Sequence, residues 1–168
     1  MARHVAVIIA FATLLLAIGC GGGEAKAPVN TKSVLNFSLN NLEGESIDLS
    51  QFHGKVVILD VWDTWCPPCR KGIPEFVKLY DEYKDQGLQI VGVALARKGI
   101  PEVKKFLAEY NVNYLNVIGE PIIYQIFGQI KGIPTTFVIN KEGQIHNKYV
   151  GYRPKSVFEN DIKQLLAS

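Results

Sequence analysis

The sequence predicts an α/β domain with a central mixed sheet flanked by helices and a β-hairpin extension at its N-terminal end. Three observations predict it. Residues 55–63 (KVVILDVWD) and 88–96 (LQIVGVALA) are nearly continuous apolar, β-branched runs, the pattern of strands buried on both faces. Each run is followed by a segment of helical periodicity, and strand–helix–strand connections pair their strands in parallel. Residues 135–140 (TTFVIN) and 144–150 (QIHNKYV) meet across the turn NKEG, which folds them into an antiparallel hairpin.

In chain order, residues 37–55 (FSLNNLEGESIDLSQFHGK) alternate apolar and polar side chains about Glu43-Gly44, a short hairpin ahead of the main sheet. The first buried strand follows. From Pro67 to about Gln86, Ile73, Phe76, Val77 and Tyr80 recur at helical spacing, and Gly87 stands where a helix-terminating glycine does. After the second buried strand, PEVKKFLAEYNV (101–112) is an amphipathic helix with proline in its first turn. YLNVI (114–118), a short helix around PIIYQIF and the C-terminal hairpin come next. PKSVFENDIKQLLA (154–167) closes the domain as a helix whose apolar side carries Val157, Phe158, Ile162, Leu165 and Leu166.

A chain of 168 residues with 48% hydrophobic residues suits one domain with a full core. Its formal charge is +2 without a long basic run, so the electrostatic footprint of a nucleic-acid binder is missing. Residues 1–19 carry Arg3 and then an uncharged apolar run from Val5 to Ile18. That run is short of the roughly 20 residues a membrane-crossing helix needs and suits an export signal. LAIGC (16–20) resembles the lipobox of bacterial lipoproteins, which implies cleavage before Cys20 and acylation of that cysteine; an ordinary secretory signal without lipid is the alternative. Residues 20–34 lack bulky apolar side chains over most of their length and read as a flexible tether. The folded domain is expected over 35–168. An exported protein lives where disulfides persist, and the lipid would hold it at the membrane of the cell envelope, facing the periplasm or the exterior.

Cys66-Pro67-Pro68-Cys69 falls where a buried strand ends and a helix begins. Unpaired amides and the helix dipole concentrate positive potential there and stabilise a thiolate, so Cys66 is the expected nucleophile and Cys69, one turn along, the resolving thiol. Neither proline has an amide, which leaves the Cys69 N–H as the main nearby backbone donor to the Cys66 sulfur. The stiff loop also loses less freedom when the disulfide closes, which favours the oxidised form and makes the reduced protein an electron donor. Haem attachment would need His where Arg70 stands, and tetrahedral zinc would need a second ligand pair. No metal or organic cofactor is expected. A purely structural disulfide remains the alternative.

DVWDTWCPPCRKGIP (60–74) resembles the active-site segment of the thioredoxin superfamily. Together with the lipobox and the N-terminal hairpin it points to the exported, membrane-tethered TlpA/ResA-like thiol-disulfide oxidoreductases. The resemblance spans about residues 35–168 and includes Trp65, Pro74, KGIPTTF (131–137) and Gly151. It implies the thioredoxin fold, reduction of protein disulfides, a monomer, and a membrane electron donor of the CcdA/DsbD kind. It also implies a cis bond before Pro134, with Ile133 offering its backbone to an extended substrate strand, Trp65 on the binding surface, and Asp60 as a buried proton acceptor for Cys69. Burial should raise the pKa of Asp60.

Cytochrome-maturation members of the ResA kind carry a glutamate after the strand corresponding to VGVALA, where this chain has Arg97-Lys98. This weighs against an apocytochrome-specific role and for a more general reductase, with a part in cytochrome c maturation kept as an alternative. A peroxiredoxin-like peroxidase is the nearest rival, but its cysteine motif fails at Leu59 and Asp63. A non-catalytic envelope binding module is the reading from another class.

Overall fold

The computed structural model describes residues 32–119 and 121–168. The expected export signal, Cys20 and the expected tether up to residue 31 lie outside these described residues.

The N-terminal hairpin forms as strand β1 (Ser38–Asn40) antiparallel to β2 (Ser46–Asp48). Asn41 Oδ1 closes its turn by accepting from the amides of Glu43 and Glu45 at 3.0 and 2.8 Å. A 3-10 turn over Leu49–Phe52, capped by the Asp48 side chain, leads to β3 (Val56–Trp62). Then come α1 (Pro67–Tyr83), β4 (Leu88–Ala94), α2 (Ile100–Glu109), β5 (Leu115–Ile118) and α3 (Ile122–Phe127). The chain finishes with β6 (Thr135–Ile139), β7 (Ile145–Val150) and α4 (Lys155–Leu166).

The main sheet has the order β5-β4-β3-β6-β7. β3 and β4 run parallel, as do β4 and β5, whereas β6 is antiparallel to β3 and β7 to β6. The mixed sheet and both hairpins thus match the sequence expectation. All residues of β3 and β4 are buried, the physical reason for their nearly continuous apolar runs. Val57, Leu59 and Val61 enter a core with Leu35, Leu39 and Leu49 of the N-terminal segment and Ile123 and Phe127 of α3. Val56 and Ile58 face the other way, onto Phe76 and Leu79 of α1 and Phe158 and Ile162 of α4. At about 1.5–3 kcal/mol for each large apolar side chain fully buried, this two-sided packing outweighs the cost of the single carboxyl, Asp60, that the strand also buries.

An isolated bridge from Asn41 to Val117 sets the hairpin beside β5 and covers an edge that would otherwise offer unpaired backbone groups. Inside α1, Pro74 removes one amide from the helical ladder. Gly87, at φ +106°, ends the 3-10 extension of that helix in the left-handed region.

Candidate active site

β3 ends at Trp62 and α1 begins at Pro67, so Cys66 becomes the residue that caps the helix. The Cys69 amide donates to Cys66 Sγ at 3.3 Å, the backbone bond that remains once Pro67 and Pro68 supply none. Cys66 and Cys69 are joined as a disulfide, their Cα atoms 5.3 Å apart. On reduction the same amide and the helix terminus favour negative charge on Cys66.

Cys66 keeps only 2% of its surface exposed, less than a freely reachable nucleophile suggests. Cys66 lines a groove of about 400 Å³ together with Trp65, Leu95, Arg97, Tyr124 and Ile133. Trp65 and Tyr124 are 43% and 45% exposed, so the groove presents aromatic surface to solvent. Trp65 therefore forms its rim, while Trp62 is buried behind the disulfide with Ile73, Val103 and Phe106.

The Ile133–Pro134 bond is cis, and the Ile133 carbonyl oxygen lies 3.6 Å from Cys66 Sγ. The Pro134 carbonyl accepts from the Gly151 amide at 2.8 Å, and Thr135 Oγ1 donates to the Gly132 carbonyl at 2.6 Å. Gly151 sits at φ +79°, where a Cβ is disfavoured. These bonds hold the loop against the disulfide from beneath.

Asp60 stands opposite Thr136 in the β3–β6 register, and Thr136 Oγ1 donates to Asp60 Oδ1 at 2.7 Å. Burial pushes the Asp60 carboxyl up from 3.8 to about 7, with the Thr136 bond opposing the shift. Asp60 and Cys69 line one small cavity of about 10 Å³ together with Pro134 and Tyr152. That is room for about one water.

Six of the residues singled out in the sequence, Cys66, Cys69, Asp60, Trp65, Ile133 and Pro134, thus converge. Cys20 lies outside the described residues. Sequence reasoning overlooked Asp63, which is fully buried and accepts from the Thr64 amide at 2.7 Å and the Arg97 amide at 3.2 Å. It ties the loop before the cysteines to the loop after β4. Its signal was an aspartate in a strand-to-helix loop, where this side chain commonly binds nearby amides. Asn116 was also missed; its Oδ1 accepts from Trp62 Nε1 at 3.1 Å in the core.

The model of the Redoxin family matches residues 28–166. The chain belongs to the Redoxin family. Among its relatives, the thiol-disulfide oxidoreductase ResA of Halalkalibacterium halodurans is 37% identical over 128 residues, covering 76% of this chain and 72% of the relative. ResA of Bacillus subtilis is 34% identical over 125 residues, covering 74% and 69%. Among solved structures, a thiol:disulfide interchange protein of the thioredoxin family from Chlorobium tepidum superposes with a TM-score of 0.71 at 32% identity, covering 77% of this chain and 92% of that one. StoA from Bacillus subtilis superposes at 0.63 and 27% identity, covering 74% and 93%. This Redoxin family member is accordingly a TlpA/ResA-like thiol-disulfide oxidoreductase of thioredoxin fold.

Proposed function

We propose that the chain reduces protein disulfides in the bacterial cell envelope, held at the membrane by a lipid on Cys20. The Cys66 thiolate attacks one sulfur of a substrate disulfide, forming a mixed disulfide and releasing a substrate thiolate that takes up a proton. Cys69, deprotonated by Asp60 through a water in the shared cavity, then attacks Cys66 Sγ. The intramolecular disulfide forms, and the second substrate sulfur leaves as a thiol. Two electrons pass from protein to substrate, and the substrate gains two protons. A membrane electron donor of the CcdA/DsbD kind would return the Cys66–Cys69 pair to the dithiol.

Ile133 and Pro134 bind the extended substrate strand through backbone groups, with Trp65 beside it. Arg97-Lys98 replaces a carboxylate expected of apocytochrome-specific members, which favours a general reductase. The observation that carries this reading is the Cys66–Cys69 disulfide at a helix N-terminus, with the cis-proline loop against its first sulfur.

Insulin-disulfide reduction by the full chain, beside Cys66→Ser and Cys69→Ser, tests the chemistry. Full activity in the Cys66 variant would exclude its role, and peroxide turnover would favour a peroxidase. Palmitate labelling that persists in Cys20→Ala would remove the lipid anchor from the proposal.

A further inference from the structure

Six exposed cations lie on segments at the site's end of the sheet: Arg70 and Lys71 at the start of α1, Arg97 and Lys98 after β4, Lys131 before the cis proline, and Arg153 after β7. Their placement follows from topology. The C-terminal ends of β3 and β4, the N-terminal end of β6 and the C-terminal end of β7 all lie at one end of the sheet. The chain as a whole carries a formal charge of only +2, so this charge is concentrated and not a general property of the surface. Among the described residues, ion pairs involve Lys84, Lys104, His146, Lys155 and Lys163, and none of these six.

Two of the cations line the groove itself. The Arg97 guanidinium lies 5.7 Å over the Trp65 ring, and its backbone amide is held by buried Asp63. Stacking fixes the plane of a guanidinium and leaves its N–H fork available to a carboxylate. Lys131 also lines the groove, and none of the described lining residues is acidic.

We propose that the groove selects disulfides embedded in acidic, partly apolar segments. Arg97 and Lys131 take carboxylates flanking the reacting cysteine, and Trp65 and Tyr124 take an apolar side chain between them. This inference rests on the disulfide-reductase reading for its chemistry, but recognition can be measured without any turnover. A cationic cleft raises the local concentration of anionic partners and their rate of encounter, and salt weakens both effects. Lysine-rich segments are repelled by the same charges.

The test uses three synthetic peptides, each with one internal disulfide and alike except for flanking Asp, Ser or Lys residues. Reduction rates are measured with the full chain in its dithiol form, at low salt and at about 1 M salt. Binding of the corresponding Cys→Ser peptides to the oxidised chain is followed by tryptophan fluorescence. The Asp peptide is expected to react about tenfold faster and bind more tightly than the Ser peptide, and the Lys peptide to be poorest, with the differences collapsing in high salt. Arg97→Gln combined with Lys131→Gln should bring the Asp-to-Ser ratio close to one, while Lys78→Gln, which lines no part of the groove, keeps it. Equal rates and affinities for the three peptides, or a preference for Lys, would overturn the inference and leave the reductase reading intact. Tightest binding of the Asp peptide with no reduction of any peptide would support the inference and overturn the reductase reading.

Discussion

Cys66 Sγ lies 3.6 Å from the carbonyl oxygen of Ile133, a residue 67 positions further along the chain. Antiparallel pairing of β3 with β6 brings them together, because both the end of β3 and the start of β6 fall at the same edge of the site. On the proposed function, a substrate strand along the cis-proline loop presents its sulfur to Cys66, whose burial leaves the groove as its approach.

The two cysteines should fail differently. Cys66→Ser is expected to reduce insulin disulfides no faster than uncatalysed exchange. Cys69→Ser should instead accumulate a mixed disulfide, visible by mass spectrometry as a covalent adduct that reductant removes. Adducts on Cys69 in a Cys66→Ser chain would reverse the assigned roles.

Asp60 gives a pH-dependent stability with a definite sign. Its folded-state pKa of about 7 exceeds the ordinary 3.8, so the native state keeps a proton that the unfolded chain releases. The associated stability is fully present below about pH 4 and is lost as pH rises through about 7, a change on the order of 4 kcal/mol. Asp60→Asn should therefore gain stability over the parent as pH rises from 4 to 8, in urea unfolding of the oxidised protein. Its release of substrate from the mixed disulfide should be slowed, since amide cannot accept the Cys69 proton. A stability difference constant across this range would contradict the buried-acid account.

Gly92 in β4 has no room for a side chain. A Cβ there would collide with the Asn116 side chain and meet Trp62 Nε1 at 3.0 Å, the two groups that bond each other in the core. Gly92→Ala is expected to cost about 1–3 kcal/mol by overpacking, read as a lower denaturation midpoint at unchanged m-value.

Gly151→Ala introduces a side chain at φ +79°, a cost of roughly 1–2 kcal/mol. Because the Gly151 amide holds the Pro134 carbonyl, displacement of the loop should raise KM for protein disulfides more than it lowers kcat. A change confined to thermal stability would assign Gly151 to the turn alone.

The two prolines of the active-site loop favour the closed disulfide by restricting the reduced chain. A glutathione titration should give a potential in the thioredoxin range, about −270 mV. A value near −120 mV, that of a strong oxidant, would defeat the assignment of the reduced protein as electron donor.

Much of this was legible before any coordinates. The runs VVILDVW and LQIVGVA declare strands buried on both faces, because only such strands can dispense with polar alternation. The CPPC segment between strand and helix marks the redox pair, and the place of Cys66 at the helix N-terminus is the ground for expecting it as the activated thiol. Asp60 was visible as a carboxyl interrupting an apolar run, and its raised pKa follows from the desolvation that any burial there imposes. Asp63 was not legible as a clamp, because its partner amide belongs to Arg97, 34 residues away. Arg97 likewise looked like a missing carboxylate and not a groove residue, since nothing local indicates that it stacks on Trp65.

By itself, then, the sequence determined the order of strands and helices, the identity of the two reacting sulfurs and the buried acid behind them. Periodicity, helix-terminal chemistry and desolvation act locally along the chain, so these can be read locally. Only the tertiary structure decided that Cys66 lines a groove, which side chains wall it, and how cations from four separate segments gather at one end of the sheet. Those are distances between residues far apart in sequence, and strand register together with the packing of loops at one end of the sheet sets them.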